Sequence, residues 1–295
     1  MEKPIWQLKK DMCEIGKNIW MRQYCAGNEG NHSVKVSDDR FLVTPTGISK
    51  GFLTPDDICL VDGKGDLVEP NSKGRRPSSE IKVHLAIYRV RKDVNAVIHS
   101  HPPHATAFAI AGIPLPEGVH PEAEVFLGKV KTAKFAMPST EDLPNSLLPL
   151  INEQTNTLLM GNHGSVSFSF DLTDAYYKLE ILDAYCRILL LTKQVGKINI
   201  LSQSDMQGLL KVKESFGLPD ERLACVDEGC VGSENNQFLT TFGVEPATAV
   251  CDGDSGNVVS RGSDKPAMQN DEMEALVQAI TTQIMKSLEQ KTVGQ

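Results

Sequence analysis

Apolar residues recur every three or four positions at the start of the chain and fall into short runs after it. The first pattern predicts a helix over residues 5–24. The apolar stripe of this helix consists of Ile5, Leu8, Met12, Ile15 and Ile19. Short alternating or continuous apolar runs predict strands at residues 32–36, 40–43, 58–61, 96–98 and 157–160. Further helices are predicted over residues 77–91, 103–111, 143–154 and from 171 or 173 to about 195.

Strands alternate with helices along most of the chain, and short turns join several strands near its start. This order is typical of an α/β protein and predicts a mixed or largely antiparallel sheet covered by helices. After residue 217 the composition changes: residues 246–267 are rich in Gly, Ser, Asp and Pro, and they predict a flexible linker. Residues 270–290 return to a helical period. Their apolar face is Met273, Leu276, Val277, Ile280, Ile284 and Leu288.

These changes predict three segments. They are a main domain over residues 1–217, an extension and flexible linker over 218–267, and a C-terminal amphipathic helix over 268–295. The 40% share of hydrophobic residues is enough for the main domain to bury a core.

The bulk composition excludes several classes of function. A net charge of −8 argues against a general binder of nucleic acid or of a membrane surface, because both need positive surface. No run of about 18 apolar residues is present, so we expect no membrane span. The N-terminus is amphipathic and mixed in charge, so we expect no secretory signal. Seven cysteines without a CxxC pattern predict reduced thiols in a cytoplasmic protein. For Cys225 and Cys230 we predict a structural role.

Three histidines are placed where they could hold one metal ion. His99 and His101 follow the apolar run 96–98, and alternate residues of a strand share a face. His163 follows another apolar run and lies in a turn flanked by glycines. Three imidazoles with an open coordination position are typical of catalytic zinc. Because imidazole accepts several divalent metals, the sequence predicts Zn²⁺ or, alternatively, Mn²⁺ or Co²⁺.

Five short motifs carry a resemblance to a known family. In chain order they are GNHS (30–33), TPTG (44–47), PSSE (77–80), HSHPPHATAFA (99–109) and GNHG (161–164). Over about residues 5–217 the chain resembles the class II aldolase/adducin family. The resemblance implies a three-layer α/β/α fold with a central sheet, and a homotetramer with active sites between subunits.

The resemblance also implies roles for individual residues. Glu80 would be the general acid/base, where the alternative is an ordinary glutamate in the first turn of a helix. The phosphate of a sugar phosphate would bind at loops from separate segments, which contain Gly30, Asn31, Thr46, Gly47, Ser78 and Ser79. Serine hydroxyls and free backbone N–H groups at a helix N-terminus suit an anion.

One position departs from the pattern of the aldolases. In those enzymes a tyrosine follows a histidine in the region of His120 and handles the proton on the aldehyde side. Here Pro121 follows His120, and Glu122 comes next. Glu122 could replace the tyrosine as proton donor, or it could be an exposed glutamate at a helix start.

We therefore expect a metal-dependent aldolase, a carbon–carbon lyase. The predicted reaction is retro-aldol cleavage of fuculose or rhamnulose 1-phosphate to dihydroxyacetone phosphate and lactaldehyde. A metal ion would stabilise the negative charge left on the three-carbon fragment. The alternatives are a ribulose-phosphate-type 4-epimerase, a methylthioribulose-phosphate dehydratase and a non-catalytic, adducin-like scaffold.

The predicted C-terminal helix has two interpretations. It could dock on its own domain, or it could bury its apolar stripe in another protein. A linker followed by a short amphipathic helix resembles the encapsulation peptides that carry enzymes into bacterial microcompartments. Residues 270–290 would then bind a shell protein and place the enzyme inside such a compartment.

Overall fold

Seven strands form one mixed sheet in the computed structural model, which describes residues 3–218 and 220–241. The strands are β1 (Asn31–Ser37), β2 (Arg40–Val43), β3 (Cys59–Val61), β4 (Ala96–Ser100), β5 (Lys131–Ala133), β6 (Thr157–Met160) and β7 (Gly164–Ser169). Their order across the sheet is β3-β2-β1-β4-β7-β6-β5. All neighbouring strands are antiparallel except β5 and β6, which are parallel. The prediction of a mixed, largely antiparallel sheet is confirmed.

Helices cover both faces of the sheet. They are α1 (Ile5–Met21), α2 (Ile81–Val90), α3 (Pro103–Ala111), α4 (Asp142–Leu147), α5 (Leu172–Val195), α6 (Gln203–Ser215) and α7 (Asn235–Thr241). Successive residues of β4 point to opposite faces, so Val97 packs in the cluster that contains α2. Its neighbour Ile98 packs with α1 and α5 on the other side. The predicted three-layer arrangement is therefore confirmed.

Two predicted helices are shorter than their patterns indicated. The predicted helix over 77–91 begins only at Ile81, because Pro77 bridges to Pro45 and the Ser78 amide donates to the carbonyl of Thr44. The predicted helix over 143–154 ends at Leu147 and continues as a single 3₁₀ turn. Pro149 lies in that turn, and a proline nitrogen cannot donate the bond that would extend an α-helix.

The prediction of reduced thiols is wrong for Cys225 and Cys230, which form a disulfide. The intervening residues form a tight turn that brings their Cα atoms to 5.7 Å, a separation that suits the bond. The other cysteines of the described part are free: Cys13, Cys25, Cys59 and Cys186.

The segment that follows α6 packs back on the main domain. The side chain of Phe238 in α7 is fully buried beside Phe108 of α3. The predicted linker over 246–267 and the predicted helix over 270–290 lie outside the described residues. Within residues 3–218 and 220–241, no helix combines the length and the apolar character that crossing a bilayer requires.

Candidate active site

The candidate site lies where β4 ends and the turn between β6 and β7 begins. His99 is on β4, His101 follows the strand, and His163 is in the turn. The turn is tight, since Asn162 has a positive φ of 55° and the amide of His163 donates to the carbonyl of Met160.

Close packing at this turn explains a glycine of the GNHG motif. A Cβ atom at Gly164 would lie 2.5 Å from Cδ2 of His101 and 2.7 Å from the carbonyl oxygen of Ser100. Any side chain there would push the two strands apart, so the close approach of the turn to β4 requires glycine.

The three imidazoles converge on one point. A ring nitrogen of each of His99, His101 and His163 lies within 4.8 Å of the others. The Nε2 atoms of His99 and His101 are 3.1 Å apart. Burial, together with the two neighbouring imidazoles, holds the pKa of His99 well below its usual value, and burial also lowers the pKa of His163. Neutral imidazoles are the form that binds a metal ion.

Hydrogen bonds on the outer nitrogens fix which ring atom faces the cluster. Nδ1 of His99 donates to the carbonyl of Ser165 at 2.9 Å. Nδ1 of His101 lies 2.7 Å from Oε2 of Glu29, and the other oxygen of Glu29 accepts from the amide of Ala26. The Nε2 lone pairs are therefore free to bind, as they are in metal sites whose ligands carry such outer partners. These residues fit a divalent metal ion with room for substrate oxygens.

Glu80 completes the cluster at the N-terminus of α2. Its carboxylate lies 3.2 Å from Nε2 of His99 and 3.6 Å from Nε2 of His163. The side-chain amide of Asn31 donates to its Oε2 at 2.9 Å. The structure thus brings together the predicted acid/base and the three predicted metal ligands.

The residues predicted to bind phosphate lie on adjoining loops. The TPTG and PSSE loops are joined by hydrogen bonds from Thr46 N–H to the carbonyl of Arg76 and from Ser78 N–H to the carbonyl of Thr44. Gly47 is exposed in the left-handed region, with φ at 77°. Ser79 is exposed and its hydroxyl contacts that of Ser139.

Gly30 and Asn31 lie beside the histidines. The backbone at Gly30 passes close to the carbonyl of His99, where a Cβ would lie 3.1 Å from that oxygen. Asn31 is paired with His99 across β1 and β4. Its buried side chain contacts Glu80 and His84 and does not face solvent. A phosphate-binding role for these two residues stays a prediction.

Glu122 does not join the cluster. Its side chain is 60% exposed and lies 3.4 Å from Nε2 of His120. Among the contacts of the described residues, none links Glu122 to His99, His101 or His163. Its role as proton donor stays a prediction.

Sequence reasoning missed two residues that support the site. Glu29, the partner of His101, could have been suspected only from its place directly before the GNHS motif. Lys50 is buried and donates to the carbonyls of Asn28 and Ile48, so it ties the loop before β1 to the TPTG loop. Burial lowers the pKa of Lys50. In the sequence, the only indication of a role for Lys50 is its position three residues after the TPTG motif.

Comparisons with known proteins show which family this chain is similar to. The class II aldolase and adducin N-terminal domain matches residues 10–190. An L-fuculose phosphate aldolase of Methanococcus vannielii is 37% identical over 179 residues, which are 61% of this chain and 93% of the relative. A 3-oxo-tetronate 4-phosphate decarboxylase of Haemophilus influenzae is 30% identical over 209 residues, 68% of this chain and 95% of the relative. A solved L-fuculose 1-phosphate aldolase has 28% identity and a TM-score of 0.62, covering 72% of this chain and 96% of that one.

The family match spans more than half of the chain and includes all three histidines and Glu80. The chain belongs to the class II aldolase and adducin family, and it is an enzyme of the aldolase type, a carbon–carbon lyase. The resemblance stated from the sequence motifs is confirmed.

Proposed function

We propose that the protein cleaves a deoxyketose 1-phosphate, fuculose or rhamnulose 1-phosphate, to dihydroxyacetone phosphate and lactaldehyde. The observation that carries this proposal is the position of the Glu80 carboxylate, within 3.6 Å of two of the three converging histidines. An acid/base beside a group of imidazoles that can hold a metal ion is the combination that a metal-dependent retro-aldol reaction needs.

His99, His101 and His163 would hold the metal ion, for which we propose Zn²⁺, with Mn²⁺ or Co²⁺ as alternatives. A bound divalent ion supplies Lewis acidity, which stabilises negative charge on substrate oxygens while the carbon–carbon bond breaks.

Glu80 would carry the proton on the ketone side of the reaction. When the C3–C4 bond breaks, C3 gains the bonding electron pair and needs a proton, while the C4 hydroxyl loses its proton and becomes the aldehyde. The carboxyl group of Glu80 delivers the proton to C3. We propose that Glu122 exchanges the proton of the C4 hydroxyl group. Because the side chain of Glu122 is exposed, the substrate or another subunit must approach it.

The substrate phosphate would bind at the loops before α2. The backbone N–H groups of Gly47 and Ser79 donate to no other group in the described part of the chain. The loops adjoin the N-terminus of α2, and free N–H groups beside a helix N-terminus attract anions. We propose that Thr46 and Ser78 line the same site.

The test is a coupled assay on the metal-replete enzyme with fuculose 1-phosphate and rhamnulose 1-phosphate. We expect release of dihydroxyacetone phosphate that stops with a chelator and falls by at least about a hundredfold in Glu80→Gln, since acid–base catalysis contributes that much. Glu80→Gln should retain its metal. Glu69→Gln is a matched control, because Glu69 is exposed and makes no contact with the site.

Other outcomes identify the alternatives. A pentulose phosphate whose carbon skeleton survives with inverted C4 indicates the 4-epimerase, and loss of water from methylthioribulose phosphate indicates the dehydratase. Release of carbon dioxide from 3-oxo-tetronate 4-phosphate would match the decarboxylase named among the relatives. A chain that binds no metal and turns over none of these compounds would be an adducin-like scaffold.

We also propose that the protein assembles as a homotetramer. The support is the family resemblance, in which neighbouring subunits complete each active site. Native mass spectrometry of the full chain measures the stoichiometry directly, and a monomeric enzyme with full activity would contradict the proposal.

A further inference from the structure

Five polar side chains form a ladder between the sheet and α2. Asn31 and Ser33 are alternate residues of β1, so their side chains share the face that looks toward α2. Glu80, His84 and Tyr88 are spaced by four residues along α2 and its N-cap, so they share one stripe of the helix. Two strand residues span about 6.7 Å and four helix residues about 6 Å, so the two spacings match and the side chains can alternate.

Each rung of this ladder is a hydrogen bond. Tyr88 OH and Ser33 Oγ are 2.8 Å apart, and Ser33 Oγ and Nδ1 of His84 are 2.7 Å apart. Nε2 of His84 lies 2.6 Å from Oδ1 of Asn31, whose Nδ2 lies 2.9 Å from Oε2 of Glu80. Asn31, Ser33, His84 and Tyr88 are all buried, so water does not compete for the bonds among these four.

The chemistry of the last rung fixes the direction of all the others. A carboxylate only accepts hydrogen bonds, so Asn31 must present its NH₂ group to Glu80 and its oxygen to His84. His84 must then carry its proton on Nε2, and its Nδ1 accepts from the hydroxyl of Ser33. Ser33 Oγ then has no proton left for Tyr88, whose hydroxyl donates to Ser33 Oγ or to the carbonyl oxygen of Ser33 at 3.1 Å. Burial lowers the pKa of His84 to about 3, so at neutral pH it has the one N–H and one lone pair that this pattern uses.

We propose that His84, supported by Ser33, is a positioning residue that orients the Asn31 amide and thereby holds the Glu80 carboxylate for proton transfer. This rests on the proposed acid/base role of Glu80. Without a donor at His84, the Asn31 amide can turn over and place its oxygen against the carboxylate, which would repel Glu80 from its place beside His99.

The test compares two substitutions at the same position. His84→Leu removes the donor to Asn31, and we expect kcat to fall by up to about a hundredfold, the effect of a misplacement of about 1 Å. KM and the metal content per chain should stay within about twofold, because the ligands and loops are untouched. In His84→Gln the side-chain amide can reach Oδ1 of Asn31, so most of kcat should return. A purely structural histidine would show no such rescue.

Ser33→Ala provides a second test. It removes a single hydroxyl group, so it keeps the proposal testable even if His84→Leu does not fold. It leaves Nδ1 of His84 without its donor, and we expect kcat to fall about fivefold, the equivalent of one neutral hydrogen bond. Ser167→Ala is the matched control. Ser167 is equally buried on β7, faces the other side of the sheet beside Ile98, and contacts Thr157. Its loss should leave kcat unchanged.

A partial reaction separates this proposal from the proposed function. Dihydroxyacetone phosphate alone, in D₂O with the zinc-loaded enzyme, should exchange its C3 proton without any aldehyde, and Glu80→Gln should abolish that exchange. If His84→Leu and Ser33→Ala exchange at the wild-type rate while Glu80→Gln is inactive, the positioning role is overturned and the proposed function stands. If the wild type does not exchange, or Glu80→Gln exchanges normally, the proposed function itself fails.

Discussion

Nδ1 of His101 lies 2.7 Å from Oε2 of Glu29. A carboxylate bound to the outer nitrogen of an imidazole fixes the tautomer, so the lone pair of the inner nitrogen faces the metal. It also makes the inner nitrogen a stronger electron-pair donor to the metal. Glu29 is held in turn, because its other oxygen accepts from the amide of Ala26. Glu29 therefore supports the candidate metal centre without being one of its ligands.

We predict that Glu29→Gln lowers zinc affinity by about ten- to a hundredfold, the usual effect of removing such an outer partner. The measurement is competition for zinc against a chelating dye of known affinity. Glu69→Gln, at an exposed position that makes no hydrogen bond or ion pair within the described part of the chain, should bind zinc like the wild type. An unchanged affinity in Glu29→Gln would mean that His101 does not depend on its carboxylate partner.

Acid should weaken the fold through a histidine outside the metal cluster. His32 is fully buried, with Nε2 at 2.8 Å from the carbonyl of Met12, and burial lowers its pKa to about 4. An unfolded histidine takes up a proton near pH 6.5, whereas folded His32 resists it until about pH 4. The unfolded state therefore binds more protons in this range, and stability falls as the pH is lowered through it.

From this histidine alone we predict a loss of about 2 kcal/mol between pH 7 and pH 5. Urea unfolding of the wild type and of His32→Gln at the two pH values measures it. The variant should lose less stability on acidification, whatever its stability at pH 7. Equal losses in both proteins would show that His32 does not resist protonation in the folded state.

The metal cluster could be predicted because its geometry is local. The alternation of β4 sets His99 and His101 on one face, and a tight turn places His163 between two paired strands. The position of Glu80 beside these histidines depends on how α2 packs on the sheet, and no local sequence pattern indicates that packing. The family resemblance supplied that relationship.

The polar ladder could not be predicted for the same physical reason. His84 and Asn31 are 53 positions apart, and their contact depends on the register between a strand and a helix. A one-residue change in that register would turn either side chain away. The disulfide was missed because spacing alone does not show whether a turn brings Cys225 and Cys230 together.

A count of reactive thiols distinguishes the disulfide of the structure from the reduced cysteines that the sequence predicted. Cys225 and Cys230 should not react with a thiol reagent in the denatured, unreduced protein. We therefore predict two more reactive thiols after reduction than before it. The double variant Cys225→Ser/Cys230→Ser should show no increase. If the wild type shows none either, all seven cysteines are reduced, as the sequence first indicated.

Truncation distinguishes the two interpretations of the predicted C-terminal helix, which are binding to a shell protein and docking on its own domain. We predict that removing residues 246–295 leaves metal content, oligomeric state and thermal stability unchanged. The same truncation should abolish co-purification with microcompartment shells when both are produced together. Replacing Leu276 and Ile280 with serine in the full chain should have the same effect, because both lie on the predicted apolar stripe. Lower stability or a changed oligomeric state would show instead that the helix docks on its own protein.

A buried ion cluster holds the segment after α6 to the domain. Arg222 donates to Glu117 at 2.7 Å and to Glu124 at 2.8 Å, and all three side chains are less than one-tenth exposed. Arg222 also donates to Asp220, which has Lys213 as a second partner. Arg222→Met removes the positive charge and leaves the carboxylates of Glu117 and Glu124 buried together. We predict a loss of about 3–5 kcal/mol in the free energy of unfolding, because breaking a buried ion pair leaves its partners buried without a counter-charge.

Arg40→Met is the matched control: its partner Asp39 is exposed, so the loss of stability should stay below about 0.5 kcal/mol. Chemical denaturation measures both, and a comparably small loss in Arg222→Met would show that other contacts, such as the buried ring of Phe238, hold this segment.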